Sequence, residues 1–209
     1  MNQKGQASIK VSIAHENTIN DVKFSQSNPH LFGTASDDNN YKLWDIRTFN
    51  DSKSFIHCNK ASEDDLLVIS FNHNNEFLFA TGGEKSGILH IWDMRMPKYF
   101  INDLVYHKSD VNQIEWDPFT DNILMSSGTD GQVFVWDNNK SGEEQARHDY
   151  EDGPPEMIFP HDTHRRVNIE DICWSPNEGD EHMAVTVDTQ MIMQVWKMSE
   201  DFFFNEVDY

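Results

Sequence analysis

Two histidine–aspartate pairs recur in this 209-residue chain. His15, Asp38 and Trp44 are separated by 23 and 6 residues, and His107, Asp130 and Trp136 repeat both separations. A His beside an Asp is the base and orienting acid of many hydrolytic sites. Repetition argues against that use, because an active site is rarely built twice in one chain. The other chemistry is structural. A buried indole N–H and a buried carboxylate each need a partner, and one neutral imidazole can serve two groups at once. Two further units depart from the pattern. In one, Ser62 and Ser86 stand where His and Asp are expected, with an extra residue in the turn. The other has His164, a turn near Asp188 that reads one residue long, and Lys197 after Trp196. Both are expected to lean more on apolar packing.

Metal and cofactor chemistry find little support. His161 and His164 form an HxxH and His57 adjoins Cys58, yet neither has a third ligand at a convincing spacing. The run SGTDG, from Ser127 to Gly131, reads as a turn between strands rather than a phosphate loop. The Met-rich stretch around Met191 and Met193 reads as strand packing. With no nucleophile–base or metal signature, the expectation is a non-enzymatic protein with no cofactor and no metal.

Tryptophan sets the period of the elements that position these residues. Trp44, Trp92, Trp136 and Trp196 each close a short apolar run: YKLWDIR, LHIWDMR, VFVWDNN and MQVWKMS. Phe24, Phe71, Trp116 and Trp174 form a second series in phase with the first. Between the two lie LFGTASDD, FLFATGG, ILMSSGTD and MAVTVD, and ahead of each unit lie SIKVSIA, KSFIHC, INDLVYH and PEMIFPH. Short runs bounded by Asn, Asp, Gly and Pro are strand–turn–strand signals. Four strands per unit of roughly 45 residues make one β-propeller blade. The expected fold is all-β, with four consecutive blades of four-stranded antiparallel sheet in one domain spanning 1–209. The repeats fall at 7–47, 48–95, 96–138 and 156–198, with an insertion at 139–156 and a tail at 199–209.

The His–Asp–Trp set resembles the network of WD repeats, where a loop His bridges a turn Asp and a strand Ser or Thr that meets the indole. A WD chain opens each repeat with the outer strand of one blade and then supplies three inner strands of the next. SIKVSIA is then an outer strand without a blade of its own. A partial seven-bladed ring is expected over a closed four-bladed one, since WD blades usually come in sevens.

The chain is 37% hydrophobic and 12% aromatic, which is globular rather than disordered. Its net charge of −20, from 36 acidic and 16 basic residues, repels nucleic acid and anionic membranes and attracts basic partners. Cys58 and Cys173 cannot make a disulfide framework, which favours a reducing compartment. MNQKGQASIK lacks the apolar core of a signal peptide, and no run approaches membrane-spanning length. The expected location is nuclear and cytoplasmic.

The insertion carries Glu143, Glu144, Asp149, Glu151, Asp152 and Glu156 against only Lys140 and Arg147. Gly153, Pro154 and Pro155 stiffen its end, and Met157, Ile158 and Phe159 follow. A long acidic loop on a rigid scaffold is a plausible basic-peptide site; an ordinary solvated insertion is the other reading. EDGPPEMIF, DICWSPNE and IMQVWKMSED resemble the C-terminal part of the histone-binding WD-repeat family, the retinoblastoma-binding proteins. LFGTASDD, EFLFATG and HKSDVNQIEWDP fit the preceding blades in order.

Members of that family serve as small subunits of chromatin assembly factor and type B histone acetyltransferase. The resemblance implies a chaperone or scaffold whose partners are histones and other subunits of chromatin complexes. It implies that Asp149, Glu151, Asp152, Gly153, Pro154, Pro155 and Glu156 form one side of a clamp on a basic helix of histone four. An N-terminal helix supplies the other side in the family, and neither that helix nor three N-terminal blades has a counterpart here. Residues 199–204 resemble a short helix packed nearby. Asp110 fits an acidic position at the mouth of the central channel, with Asn20, Leu67 and Asn112 as weaker matches. Arg47 and Arg95, in WDIR and WDMR, resemble the docking pattern of cullin-4 ubiquitin ligase receptors, unless each only pairs with a neighbouring acid.

Overall fold

The computed structural model of the chain describes residues 13–49, 55–60, 64–145, 153–162, 164 and 167–199. Blade 1 contains β1 (Ile19–Phe24), β2 (Leu31–Ser36), β3 (Asn40–Asp45) and β4 (Phe55–Lys60), paired in that order. Blade 2 contains β5 (Leu66–Phe71), β6 (Leu78–Gly83), β7 (Ile88–Asp93) and β8 (Phe100–Val105). Blade 3 contains β9 (Val111–Trp116), β10 (Ile123–Gly128), β11 (Val133–Asp137) and β12 (Met157–His161). Blade 4 has three described strands, β13 (Ile169–Trp174), β14 (Met183–Asp188) and β15 (Met193–Lys197). All pairings are antiparallel.

The outer strands β4, β8 and β12 sit at the start of sequence repeats but belong to the preceding blade, which is the one-strand offset of WD chains. SIKVSIA lies almost wholly outside the described residues. A bulge recurs opposite the tryptophans of blades 1, 2 and 3. The outer strand passes from Phe55 to His57 across Leu43–Trp44, from Phe100 to Asn102 across Ile91–Trp92, and from Met157 to Phe159 across Val135–Trp136. An isoleucine takes the extra position each time: Ile56, Ile101 and Ile158. A bulge bends the outer strand and increases its twist, as the rim of a blade requires.

The core lies between blades. Tyr41 and Leu43 of β3 cluster with Leu66, Ile69 and Phe71 of β5. Leu89 and Ile91 of β7 cluster with Val111, Ile114 and Trp116 of β9. Val133 and Val135 of β11 cluster with Ile169, Ile172 and Trp174 of β13. Gly33 permits a close approach of blades 1 and 2: a Cβ there would sit 2.6 Å from the Ile69 side chain. The indoles of Trp116 and Trp174 donate to the carbonyls of Ser70 and Glu115 on the preceding blade, 3.2 Å away in each case. Inner strands pack in chain order, β1 on β5, β5 on β9 and β9 on β13, and no comparable packing returns β13 to β1. The arc is an open part of a propeller, not a closed ring.

Two sequence expectations need correction. The turn of blade 4 is not longer than its counterparts: Val187 pairs with Met193 across the same separation as Ala35 with Tyr41 and Ser127 with Val133. The added residues lie before β14, so His164 and Thr186 are 22 apart where His15 and Thr34 are 19 apart. Met191 and Met193 are exposed rather than packed, and Met191 occupies the left-handed turn position (φ 64°) held by Asn39 and Gly131 in blades 1 and 3.

Candidate functional site

The histidine–aspartate sets are structural joints. In blade 1, His15 Nδ1 lies 2.9 Å from Asp38 and Nε2 lies 2.6 Å from Thr34 Oγ1, which accepts the Trp44 indole N–H at 3.0 Å. Blade 3 repeats this with His107, Asp130, Ser126 and Trp136. An ionised carboxylate only accepts, so Nδ1 carries the proton, Nε2 accepts the hydroxyl and the hydroxyl oxygen accepts the indole. The backbone N–H that follows each His, from Glu16 and Lys108, also donates to the Asp. Burial lowers the His15 pKa and outweighs the opposing pull of Asp38. Asp38 is disfavoured by its burial, yet the Glu16 N–H and His15 hold its carboxylate below the ordinary range. Both ring nitrogens of His15 and of His107 are committed to partners, and both side chains are buried. The residues therefore brace loop, turn and strand within one blade.

Blade 4 retains more of the set than the sequence suggested. His164 bonds Asp188 at 2.9 Å and Thr186 at 2.7 Å, while the buried Trp196 Nε1 has no hydrogen-bond partner among the described residues. In blade 2 the Trp92 indole still donates to Thr81 at 2.9 Å. Ser62 is outside the described residues. Ser86, expected to replace the turn Asp, donates its backbone N–H to Asp64 on the loop side at 3.2 Å. The carboxylate has changed sides, a compensation that no search for a fixed His–Asp spacing would find.

The acidic insertion springs from β11 and returns as β12. Asp137 caps a short 3₁₀ turn, Asn138–Lys140, by accepting from the Asn139 N–H. Exposed Glu143 and Glu144 follow. At the far end, the Asp137 N–H donates to the Glu156 carbonyl at 2.7 Å and the Met157 N–H donates to the Pro154 carbonyl at 2.9 Å. Gln145 donates its amide to the Gly153 carbonyl at 3.0 Å and ties the two ends together. Gly153 is buried with φ 113°, where a Cβ would collide with Met157 and press on Tyr106. Pro154 and Pro155 are half-buried and Glu156 is buried. Asp149, Glu151 and Asp152 lie outside the described residues.

A cleft of about 460 Å³ opens at the foot of this turn. Tyr106, Phe134, Met157 and Pro160 supply its apolar lining, and Lys108, Asp130, Gln132 and Asp162 its polar rim. Gln132 and Asp162 are joined across it at 2.7 Å. Tyr106 and Met157 are the residues against which Gly153 rests, so the Pro-Pro turn and the cleft share a wall. Sequence reasoning missed the cleft. Its lining comes from the end of blade 2, the turn and third strand of blade 3, and β12.

The remaining sequence candidates have other work in the described structure. Asp110 accepts the Lys85 N–H on its side chain and the Thr129 N–H on its carbonyl, joining blade 2 to blade 3. Asn20 and Asn112 donate to the carbonyls of Leu66 and Ile169, the first residues of the next blades' inner strands. Leu67 has no polar side chain to offer such a link. Arg47 and Arg95 each turn back onto the Asp of their own motif. Arg47 meets Asp45 at 2.5 Å and pulls its carboxyl down to about 2, and Arg95 meets Asp93 at 2.6 Å. Both guanidiniums thus pair with a neighbouring acid while staying largely exposed. The HxxH nitrogens bond Gln194, Asp188 and Thr186. Among the described residues, no three His, Cys, Asp or Glu side chains gather as a metal site.

Antiparallel blades, braced from within by Trp–hydroxyl–His–Asp sets, define a WD-repeat β-propeller protein. The WD domain, G-beta repeat model matches residues 7–45 and 99–137, the two repeats that carry the complete set. The histone acetyltransferase type B subunit 2 of Candida glabrata is 35% identical over 188 residues, 90% of this chain and 43% of that protein. The protein of the same name from Debaryomyces hansenii is 31% identical over 193 residues, 89% of this chain and 45% of its own length. The chain carries WD repeats, is similar to these two subunits over about nine-tenths of its own length, and spans less than half of theirs.

Proposed function

We propose that this chain is a histone-binding scaffold subunit of chromatin assembly or modifying complexes. It takes a basic amphipathic histone helix on the acidic Pro-Pro loop, Asp149 to Glu156, and in the cleft at the loop's foot. The observation that supports this reading is the wall shared by Gly153, Tyr106 and Met157, which puts an apolar-lined groove against the Pro-Pro turn at the end of the acidic stretch of sequence. An amphipathic helix buries its apolar face in such a groove. Its Arg and Lys side chains then face the carboxylates, with charge-assisted pairing and fast, salt-sensitive encounter. The two named relatives support the chromatin setting. The partners are histones and other subunits of such complexes, the role is binding rather than catalysis, and the location is nuclear and cytoplasmic. An immobilised peptide of the histone-four N-terminal helix tests it. The chain is retained at low salt and released as salt rises; equal retention on a scrambled peptide of the same charge overturns the specific reading.

A further inference from the structure

A Ser or Thr with a carboxylate three residues on is the pattern that acidophilic protein kinases read with basic side chains. It occurs at several places in the chain, and the fold separates them. Thr34, Thr81 and Ser127 have the acid at the third position, but all three are buried in strands. Thr18 leads straight into β1, and its acid, Asp21, accepts the Ile69 N–H of blade 2. The Thr48 hydroxyl donates to the Asp45 carbonyl, and the Ser175 hydroxyl accepts the Asn177 N–H. Ser62 lies outside the described residues. Ser141, at the root of the acidic insertion, has none of these restraints. It follows the 3₁₀ turn Asn138–Lys140 with extended backbone, φ −61° and ψ 124°. It is partly exposed, and its hydroxyl has no hydrogen-bond partner among the described residues. Gly142, Glu143 and Glu144 after it are exposed, and a Cβ on Gly142 would meet nothing within 4 Å. The Glu143 N–H to the Lys140 carbonyl, at 3.1 Å, closes the turn on the solvent side, and so short a 3₁₀ turn opens readily. Carboxylates stand at both the second and the third position after Ser141, a combination that the other described candidates lack.

We propose that Ser141 is a phosphorylation site for an acidophilic serine kinase. Ser141 Oγ attacks the γ-phosphorus of a nucleoside triphosphate, and the bond from that phosphorus to the β–γ bridging oxygen breaks. The hydroxyl proton passes to the kinase's base and the nucleoside diphosphate leaves. Basic side chains of the kinase pair with Glu143 and Glu144. The product adds about −1.5 to −2 elementary charges at pH 7 to a stretch whose carboxylates already outnumber its cations. Gln145 ties this stretch to Gly153, so the charge arrives at the root of the Pro-Pro turn. If the acidic loop holds a basic histone helix, as proposed above, phosphorylation strengthens that hold. The acceptor itself does not depend on that reading.

Incubation of the purified chain with casein kinase two and ATP tests this, with phosphate mapped residue by residue by mass spectrometry so that Ser141 is kept apart from Ser62. Phosphate is expected on Ser141 of the parent. Its rate of appearance there should fall at least about tenfold in Glu144→Gln, the scale of one lost charge-assisted contact. Glu144 is exposed, so circular dichroism of that variant should remain that of the parent. No phosphate on Ser141, or the same rate in Glu144→Gln, overturns the proposal. A second arm compares the phosphorylated chain with Ser141→Ala on the histone-four helix peptide. Tighter binding by the phosphorylated form, fading as salt rises, supports the link to the loop, and equal binding overturns that link. If neither form binds the peptide, the reading of the loop fails, and the mapped phosphate alone decides the acceptor.

Discussion

Asp64 Oδ2 accepts the backbone N–H of Ser86 at 3.2 Å, and with this bond blade 2 closes its loop onto its turn from the side opposite to blades 1 and 3. There the carboxylates of Asp38 and Asp130 sit in the turn and receive the loop N–H groups of Glu16 and Lys108. The conserved quantity is the joint between loop and turn, not the residue that makes it. Loss of a joint member should therefore act on stability, blade by blade.

His15→Ala removes the residue that bridges Asp38 and Thr34 and leaves both partners buried or part-buried without it. The expected cost is about 2–3 kcal/mol by urea denaturation, the scale of a broken buried polar network. Burial lowers the His15 pKa below its ordinary 6.5, so the folded protein resists a proton that the unfolded chain accepts. Its contribution is complete above pH 6.5 and is lost as the pH falls below that value. The gap between parent and variant should narrow on acidification from pH 7.5 to 5.5; a gap that widens contradicts the assignment.

The tryptophans of blades 1 and 4 differ in burial, Trp44 being fully buried and Trp196 half-buried, and in one bond. Trp44 donates to Thr34, whereas Trp196 Nε1 is buried without a partner among the described residues. Replacement by Phe costs both sites packing, but only Trp44→Phe also costs a hydrogen bond. Removing an unpaired buried donor relieves a penalty. Trp44→Phe should be the more destabilising by at least about 1 kcal/mol. Equal losses in thermal or urea melts would mean that Trp196 is bonded in solution.

Glu115 lies on the inner wall, where its carboxylate accepts the Trp174 N–H at 3.0 Å. Burial, reinforced by Asp171 and opposed by Trp174 and Lys23, raises its pKa from 4.5 to about 7. The folded state here binds the proton more tightly than the unfolded chain. The contribution of Glu115 is therefore most favourable below pH 4.5, declines between 4.5 and 7, and carries its full penalty above 7. Glu115→Gln keeps an acceptor for Trp174 and removes the charge. It should gain about 1–2 kcal/mol at pH 8, after allowance for solvent screening, and nothing below pH 4.5. A melting-temperature difference that does not vary with pH would refute this.

Met191 holds a left-handed conformation that Gly131 holds in blade 3, and its side chain is almost wholly exposed. Met191→Gly relieves the Cβ penalty of that conformation and should raise stability by about 1 kcal/mol. A neutral or negative change in the denaturation midpoint would show that the turn relaxes elsewhere in solution.

The fold was legible in the sequence because a propeller repeats itself. Trp44, Trp92, Trp136 and Trp196 mark the third strands, and the apolar runs between them mark the rest. The repeated separation from His15 to Asp38 found the intact joints. It misread blade 4 because the added residues lie before β14 and Asp188 sits two positions earlier relative to its hydroxyl partner than Asp38 does. It missed Asp64 because an acid that changes sides leaves no spacing to match. The cleft was illegible for another reason. Tyr106, Phe134, Met157 and Pro160 each read as ordinary strand residues, and only the return of β12 past the blade 2–blade 3 junction brings them together.

We propose one histone-binding surface made by the acidic Pro-Pro loop and the cleft at its Gly153 end. Fluorescence anisotropy with a labelled histone-four helix peptide, titrated with the parent chain and with Glu151→Lys/Asp152→Lys, tests it most directly. The parent should bind saturably and the double variant at least about tenfold more weakly, the scale of breaking charge-assisted contacts. Equal affinity of the two proteins for the peptide would contradict it.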